Sequence, residues 1–156
     1  MSKYVFDTGP LRILVHHFYQ DRFPTLWNKF ELLVEKGNLF SVREVFQEIT
    51  RKENDLLEWA KTRKDLFRIP TEEEINFVTK ILKIAHFQQL VSNEQRLTGY
   101  PAADPFVIAC GKVQSAIVVT TEQEKPNSAK MPNVCKHFKI ECIELEEFMK
   151  REKWRF

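Results

Sequence analysis

The run Ala116-Ile117-Val118-Val119-Thr120 constrains this chain more than any other segment. It is apolar up to Thr120 and mostly β-branched, and such side chains are stiff and pack well on a pleated surface. A strand with one wet face alternates apolar and polar residues. This run does not alternate, so it reads as a central strand of a parallel sheet covered on both faces. Parallel neighbours need crossover connections, usually helical, so the rest of the chain should alternate strands with helices.

It does. Tyr4-Val5-Phe6 is a short apolar run ending at Asp7-Thr8-Gly9-Pro10, a strand followed by a turn and a helix start, with Pro10 suited to a first helical turn. Leu26, Phe30, Leu33 and Val34 carry a second helix, ended by Gly37-Asn38. Leu39 to Val42 reads as the next strand, and Val45, Phe46 and Ile49 as the helix after it. Leu56, Trp59, Ala60 and Arg63 share one side of another helix. Phe67 to Ile69 before Pro70 suits a short edge strand. Thr71-Glu72-Glu73-Glu74 has capping-box form, continued with helical spacing through Val78, Ile81, Leu82 and Ala85. Residues 91–103 read as loop, with Gly99-Tyr100-Pro101 as the breaker. Asp104-Pro105 opens a helix through Val107, Ile108 and Gly111. A short helix from Pro132, a strand from Ile140 to Ile143 and a helix from Leu145 to Met149 complete the chain. The pattern predicts one α/β domain over residues 1–156 on a mostly parallel sheet.

Such a chain, at 156 residues with 13 Phe and 3 Trp, can build its core without covalent staples. Cys110, Cys135 and Cys142 are odd in number and show no C-x-x-C pairing, which predicts reduced thiols and a cytoplasmic protein. No apolar run reaches the ~20 residues of a membrane span, and the early Asp7 interrupts any signal-peptide pattern. The net charge of +2 does not mark a nucleic-acid binder, although an acidic pocket and a basic rim would cancel in that total.

Ligands of open α/β sheets bind at the carboxyl ends of the strands. Asp7 directly follows the first strand, and Glu122 lies just past the strongest one. Glu48 sits on the helix after the second strand, and Asp104 at the start of the helix feeding the strongest strand. Clustered carboxylates raise one another's pKa values in a bare site. A hard divalent cation resolves the repulsion, since Mg²⁺ and Mn²⁺ prefer oxygen ligands. Such an ion activates water and offsets charge on a phosphodiester, so the acids suit phosphodiester hydrolysis better than zinc chemistry. Taken singly, Asp7 reads as a turn residue, Asp104 as a helix cap and Glu122 as a surface acid. Only their joint placement favours a site. At ~100° per residue, Glu48 falls beside the apolar face of Val42, Val45, Phe46 and Ile49, whereas Glu44 falls nearly opposite and is expected to be solvated. Arg12, Arg43, Lys112 and Lys125 lie near these segments and could meet phosphates, although most surface cations are simply solvated. His16 and His17 read as packing or surface residues.

The segments YVFDTGPL, FPTLW, FSVREVFQEI, LLEWA, ADPFVIA, AIVVTTE and MPNVCKHF, in this order and spacing, resemble the PIN-domain family over nearly the whole chain. Within that family the chain is similar to a bacterial and archaeal subfamily of unknown function. The resemblance implies a three-layer α/β/α domain whose five-stranded sheet has strand order 3-2-1-4-5. It implies Asp7, Glu48 and Asp104 as core acids and Glu122 as the fourth, all ligands of Mg²⁺ or Mn²⁺. It further implies an RNA-cleaving nuclease, a VapC-like toxin partnered by an antitoxin, and a homodimer. Gly9 departs from the family pattern, which often has Asn or Ser there.

Rival readings remain. A haloacid-dehalogenase-type phosphatase needs a second Asp where Gly9 stands, and a receiver domain needs an acid pair after the first strand. A PIN-like module that binds nucleic acid or protein without catalysis would keep the fold alone.

Overall fold

The computed structural model describes residues 1–52, 54–99 and 102–156. Five short strands form one parallel sheet: β1 (Tyr4–Phe6), β2 (Leu39–Val42), β3 (Phe67–Arg68), β4 (Ile117–Val119) and β5 (Cys142–Ile143), in the order β3-β2-β1-β4-β5. The strand order is the expected one. β1 lies in the middle, beside β4, and every residue of β1 is buried.

Helices follow each strand. Among the described residues they are α1 (Thr8–His17), α2 (Pro24–Glu35), α3 (Arg43–Lys52), α4 (Asn54–Thr62), α5 (Glu72–Leu82), α6 (Asn93–Thr98), α7 (Ala103–Val113), α8 (Met131–His137) and α9 (Leu145–Arg151). Tyr4 and Phe6, two residues apart on β1, point to one face. There both make edge contacts with Phe148 of α9, at 4.7 and 5.0 Å between ring centres, and Phe6 also meets Phe30 of α2. α7 packs across β1 and β2, and α5 packs on α7. Close approach of α7 to β4 depends on Gly111: a Cβ there would stand 2.8 Å from Val118 Cγ2. Overpacking of that kind costs roughly 1–3 kcal/mol.

Three local readings need correction. Residues 91–103 are not all loop. Ser92 and Gln95 form a complete capping box that starts α6, and Gly99 ends it in the left-handed region at φ 73°. Residues 85–90, including Ala85, form a 3₁₀ helix beyond the end of α5. Tyr100 and Pro101, read as breakers, lie outside the described residues. Asp104 is not a cap: α7 begins at Ala103, with Ala102 in the cap position and Asp104 in the first turn.

Glu44 also departs from its reading: it is fully buried rather than solvated. Glu44 and Glu48, four residues apart, are separated by only ~40° around the helix, and α3 packs against α4, β3 and α7 at once, so no side of it at Glu44 is left to solvent. Arg43 donates to one Glu44 carboxylate oxygen from Nε at 3.1 Å and from a terminal nitrogen at 2.9 Å. Among the described residues no helix is long and apolar enough to cross a membrane.

Candidate metal centre

The register of β1 against β4 decides the geometry of the site. Tyr4, Val5 and Phe6 pair with Ile117, Val118 and Val119, so Asp7 and Thr120 leave the sheet side by side. The Asp7 backbone N–H donates to Val119 O at 2.9 Å, extending the ladder by one step. At that point the Thr120 hydroxyl donates to Asp7 Oδ2 at 3.0 Å, while its oxygen accepts the Glu122 backbone N–H at 3.2 Å. One buried hydroxyl thus orients Asp7 and the turn that carries Glu122.

A cavity of about 290 Å³ opens at this edge. Asp7, Glu48, Asp104 and Glu122 all border it, together with Thr8, Arg12, Lys52, Ser92 and Gln95 among others. Asp7 reaches it from the end of β1, Glu48 from the second turn of α3, Asp104 from the first turn of α7 and Glu122 from the loop after β4. Among the described residues no histidine or cysteine borders it.

The electrostatics follow from burial. Asp7 is 8% exposed, and its carboxyl is pushed up to about 6. Burial is the main cause. Hydrogen bonds from the Thr8 backbone and the Thr120 hydroxyl partly offset it, and the charges of Glu48 and Glu122 add to it. Asp104 is raised well above the ordinary carboxyl value, first by burial and then by the charges of Asp7, Glu122 and Glu48, with Lys130 acting in the opposite sense. The carboxylates therefore sense one another across the cavity.

They are not drawn into a tight cluster. Among the described residues no three acid, histidine or cysteine side chains stand as a ready-made metal cage. Three carboxylates are held by individual partners instead: Asp7 by Thr120, Glu48 by the Thr8 hydroxyl at 3.3 Å, and Glu122 by the Met131 backbone N–H at 3.2 Å.

The basic residues divide. Arg12 borders the cavity, but Arg43 is engaged with Glu44. Lys112 donates to Phe138 O and borders a different hollow, beside Ile117 at the start of β4. Lys125 is exposed, and its backbone N–H donates to Asn133 Oδ1 at 3.2 Å. His16 pairs with Asp55 at 3.3 Å and His17 is exposed, so neither borders the cavity. Lys52, Ser92, Gln95 and Lys130 were not singled out from the sequence. Lys52 was accessible to that reasoning, because it follows Glu48 by four residues and so shares its helix face. The other three depended on how the segments before α7 and α8 fold over the sheet edge.

Residues 4–156 match a family model. The chain belongs to the family described as domain of unknown function DUF4411. The match spans β1 through the end of the chain, so all four acids fall within the DUF4411 region. No curated protein and no solved structure matches the chain.

Proposed function

We propose that this DUF4411 chain is a PIN-type ribonuclease that hydrolyses RNA phosphodiester bonds internally, with Mg²⁺ or Mn²⁺ held by Asp7, Glu48, Asp104 and Glu122. The observation that carries the reading is the meeting of these carboxylates around one cavity at the carboxyl edge of β1 and β4. The donor set fits the ion: it is all oxygen, and hard divalent cations take oxygen ligands and retain waters. When bound, the ion supplies an activated water and offsets the charge of the phosphodiester.

The chain's own residues prepare for this. Thr120, Thr8 and the Met131 N–H hold Asp7, Glu48 and Glu122 at the cavity wall. Residues that orient the ligating groups commonly matter about 10–100-fold for affinity or activity. Arg12 and Lys52 border the cavity and are placed to meet phosphate oxygens. The deciding experiment incubates purified protein with RNA and Mn²⁺ or Mg²⁺. Cleavage should stop with EDTA and in Asp7→Asn and Asp104→Asn, both folded. Full activity in EDTA or in either variant rejects the mechanism.

A second reading is favoured by the lack of any three acids in coordinating position among the described residues: a PIN-like module that binds nucleic acid or protein without catalysis. Mn²⁺ titration followed by calorimetry separates the two, since that module gives no acid-dependent binding. The toxin role, the antitoxin partner, the homodimer and a cytoplasmic location rest on the family resemblance. Expression that slows growth, is relieved by a co-expressed partner and is harmless in Asp7→Asn would support the toxin role. Harmless expression of active protein would reject it and leave the nuclease reading intact.

A further inference from the structure

Asp104 and Glu122 form a wall with an opening on each side. Beyond the 290 Å³ cavity lies a second hollow of about 200 Å³, bordered by Gln89, Leu90, Asp104, Glu122, Ser128 and Lys130 among others. The two hollows share Leu90, Asp104 and Glu122, so the same acids face both of them. Cations stand on both sides of the wall: Arg12 and Lys52 border the first hollow, Lys130 the second.

Lys130 is not a cation on a loose loop. Its backbone N–H donates to Ser128 Oγ at 3.4 Å, and the next N–H, that of Met131, donates to Glu122 Oε2 at 3.2 Å. The site acid therefore anchors the turn that carries Lys130. A small ligand would fill one hollow and gain nothing from the other. A linear polyanion with a charge at every unit matches two hollows with cations on both sides of a metal-binding wall.

Resting on the nuclease reading above, we propose that Lys130 forms a second phosphate subsite, across the Asp104–Glu122 wall from Arg12 and Lys52. A single strand of nucleic acid then lies through both hollows, with its backbone held on each side of the acids. Lys130 is a substrate-binding residue that contacts a phosphate adjacent to the one attacked.

The test is binding of a labelled single-stranded RNA of about ten nucleotides by fluorescence anisotropy, in Ca²⁺ buffer, from about 0.05 to 0.25 M salt. Each phosphate contact to a single strand contributes about 0.7 to the slope of log K against log salt. Lys130→Ala and Lys130→Gln should each lower the slope by about that amount and weaken binding several-fold at low salt. Lys130→Arg should keep both, and Lys29→Ala, an exposed change on α2, should leave both unchanged. Two neutral variants guard against misfolding of one, and thermal melting verifies each. Wild-type slope and affinity in both neutral variants, in a protein that binds and cleaves RNA, overturn the subsite and spare the nuclease reading. No RNA binding by the wild-type chain overturns both.

Discussion

The Thr120 hydroxyl donates a 3.0 Å hydrogen bond to Asp7 Oδ2, joining residues 113 positions apart. The same oxygen accepts the Glu122 N–H. Thr120→Val keeps the shape and removes both bonds. A hydrogen bond to a charged group is worth roughly 1.5–3 kcal/mol, so Thr120→Val should destabilise the fold by about that much near neutral pH. Mn²⁺ affinity, read by calorimetry, should fall by about tenfold or more. Thr120→Ser should retain both properties; equal behaviour of the Val and Ser variants would remove the hydroxyl from the account.

Asp7 titrates at about 6 in the fold against an ordinary value of 3.8. The folded state holds this proton more tightly than the unfolded chain. The stabilisation is therefore complete below the ordinary value and is lost as pH rises through about 6. The difference corresponds to about 3 kcal/mol. In EDTA at neutral pH, Asp7→Asn should melt above the wild-type protein. Adding Mn²⁺ should raise the wild-type melting temperature and leave the variant's unchanged, because a ligand stabilises only the state that binds it. A variant that melts lower in EDTA would mean that the buried carboxylate is not a liability in the metal-free fold.

Glu44 and Glu48 lie one turn apart on α3, and their substitutions should act through different properties. Glu48 borders the cavity, so Glu48→Gln should abolish cleavage while changing stability by no more than ~1 kcal/mol. Glu44 is fully buried and paired with Arg43. Glu44→Ala leaves a hole and removes a charge-assisted hydrogen bond from the half-exposed Arg43, and should destabilise by roughly 1–3 kcal/mol. Denaturant unfolding beside an activity assay reads both, and a stable Glu44→Ala would contradict a stabilising role for the buried carboxylate.

Gly9 is explained by packing. A Cβ at this position would stand 2.4 Å from Thr121 Oγ1 and 2.8 Å from Thr121 Cγ2, so the Thr121 side chain occupies the space a residue at position 9 would need. Gly9→Ser should force the exposed Thr121 side chain from its rotamer at a cost of roughly 0.5–1.5 kcal/mol, and Thr121→Ala should recover most of that loss. A double-mutant cycle with no coupling would separate the two sites.

Much of the fold was legible locally. The unalternating run ending at Thr120 required a strand covered on both faces. The short runs at Tyr4 and Leu39, each followed by helical spacing, required parallel crossovers. These signals are local because covered faces exclude polar side chains and helix ends demand particular residues. The capping box at Ser92 is equally local in its chemistry, but it opens a helix of only six residues, too short to show a hydrophobic period.

Other features belong to the tertiary structure alone. Glu44 and Glu48 have similar chemistry and lie on neighbouring positions of one helix, yet one is sealed and the other borders the cavity. That division depends on where β3, α4 and α7 press on α3, which no periodicity along α3 records. Asp7 meets Thr120 because β1 and β4 pair in one register, and a one-residue slip would turn every side chain to the opposite face. The sequence by itself determined the kinds of element and the acids available at their ends. Only the packing of distant segments decided which carboxylates share a cavity and which cations face them, because burial and field arise between residues far apart in the chain.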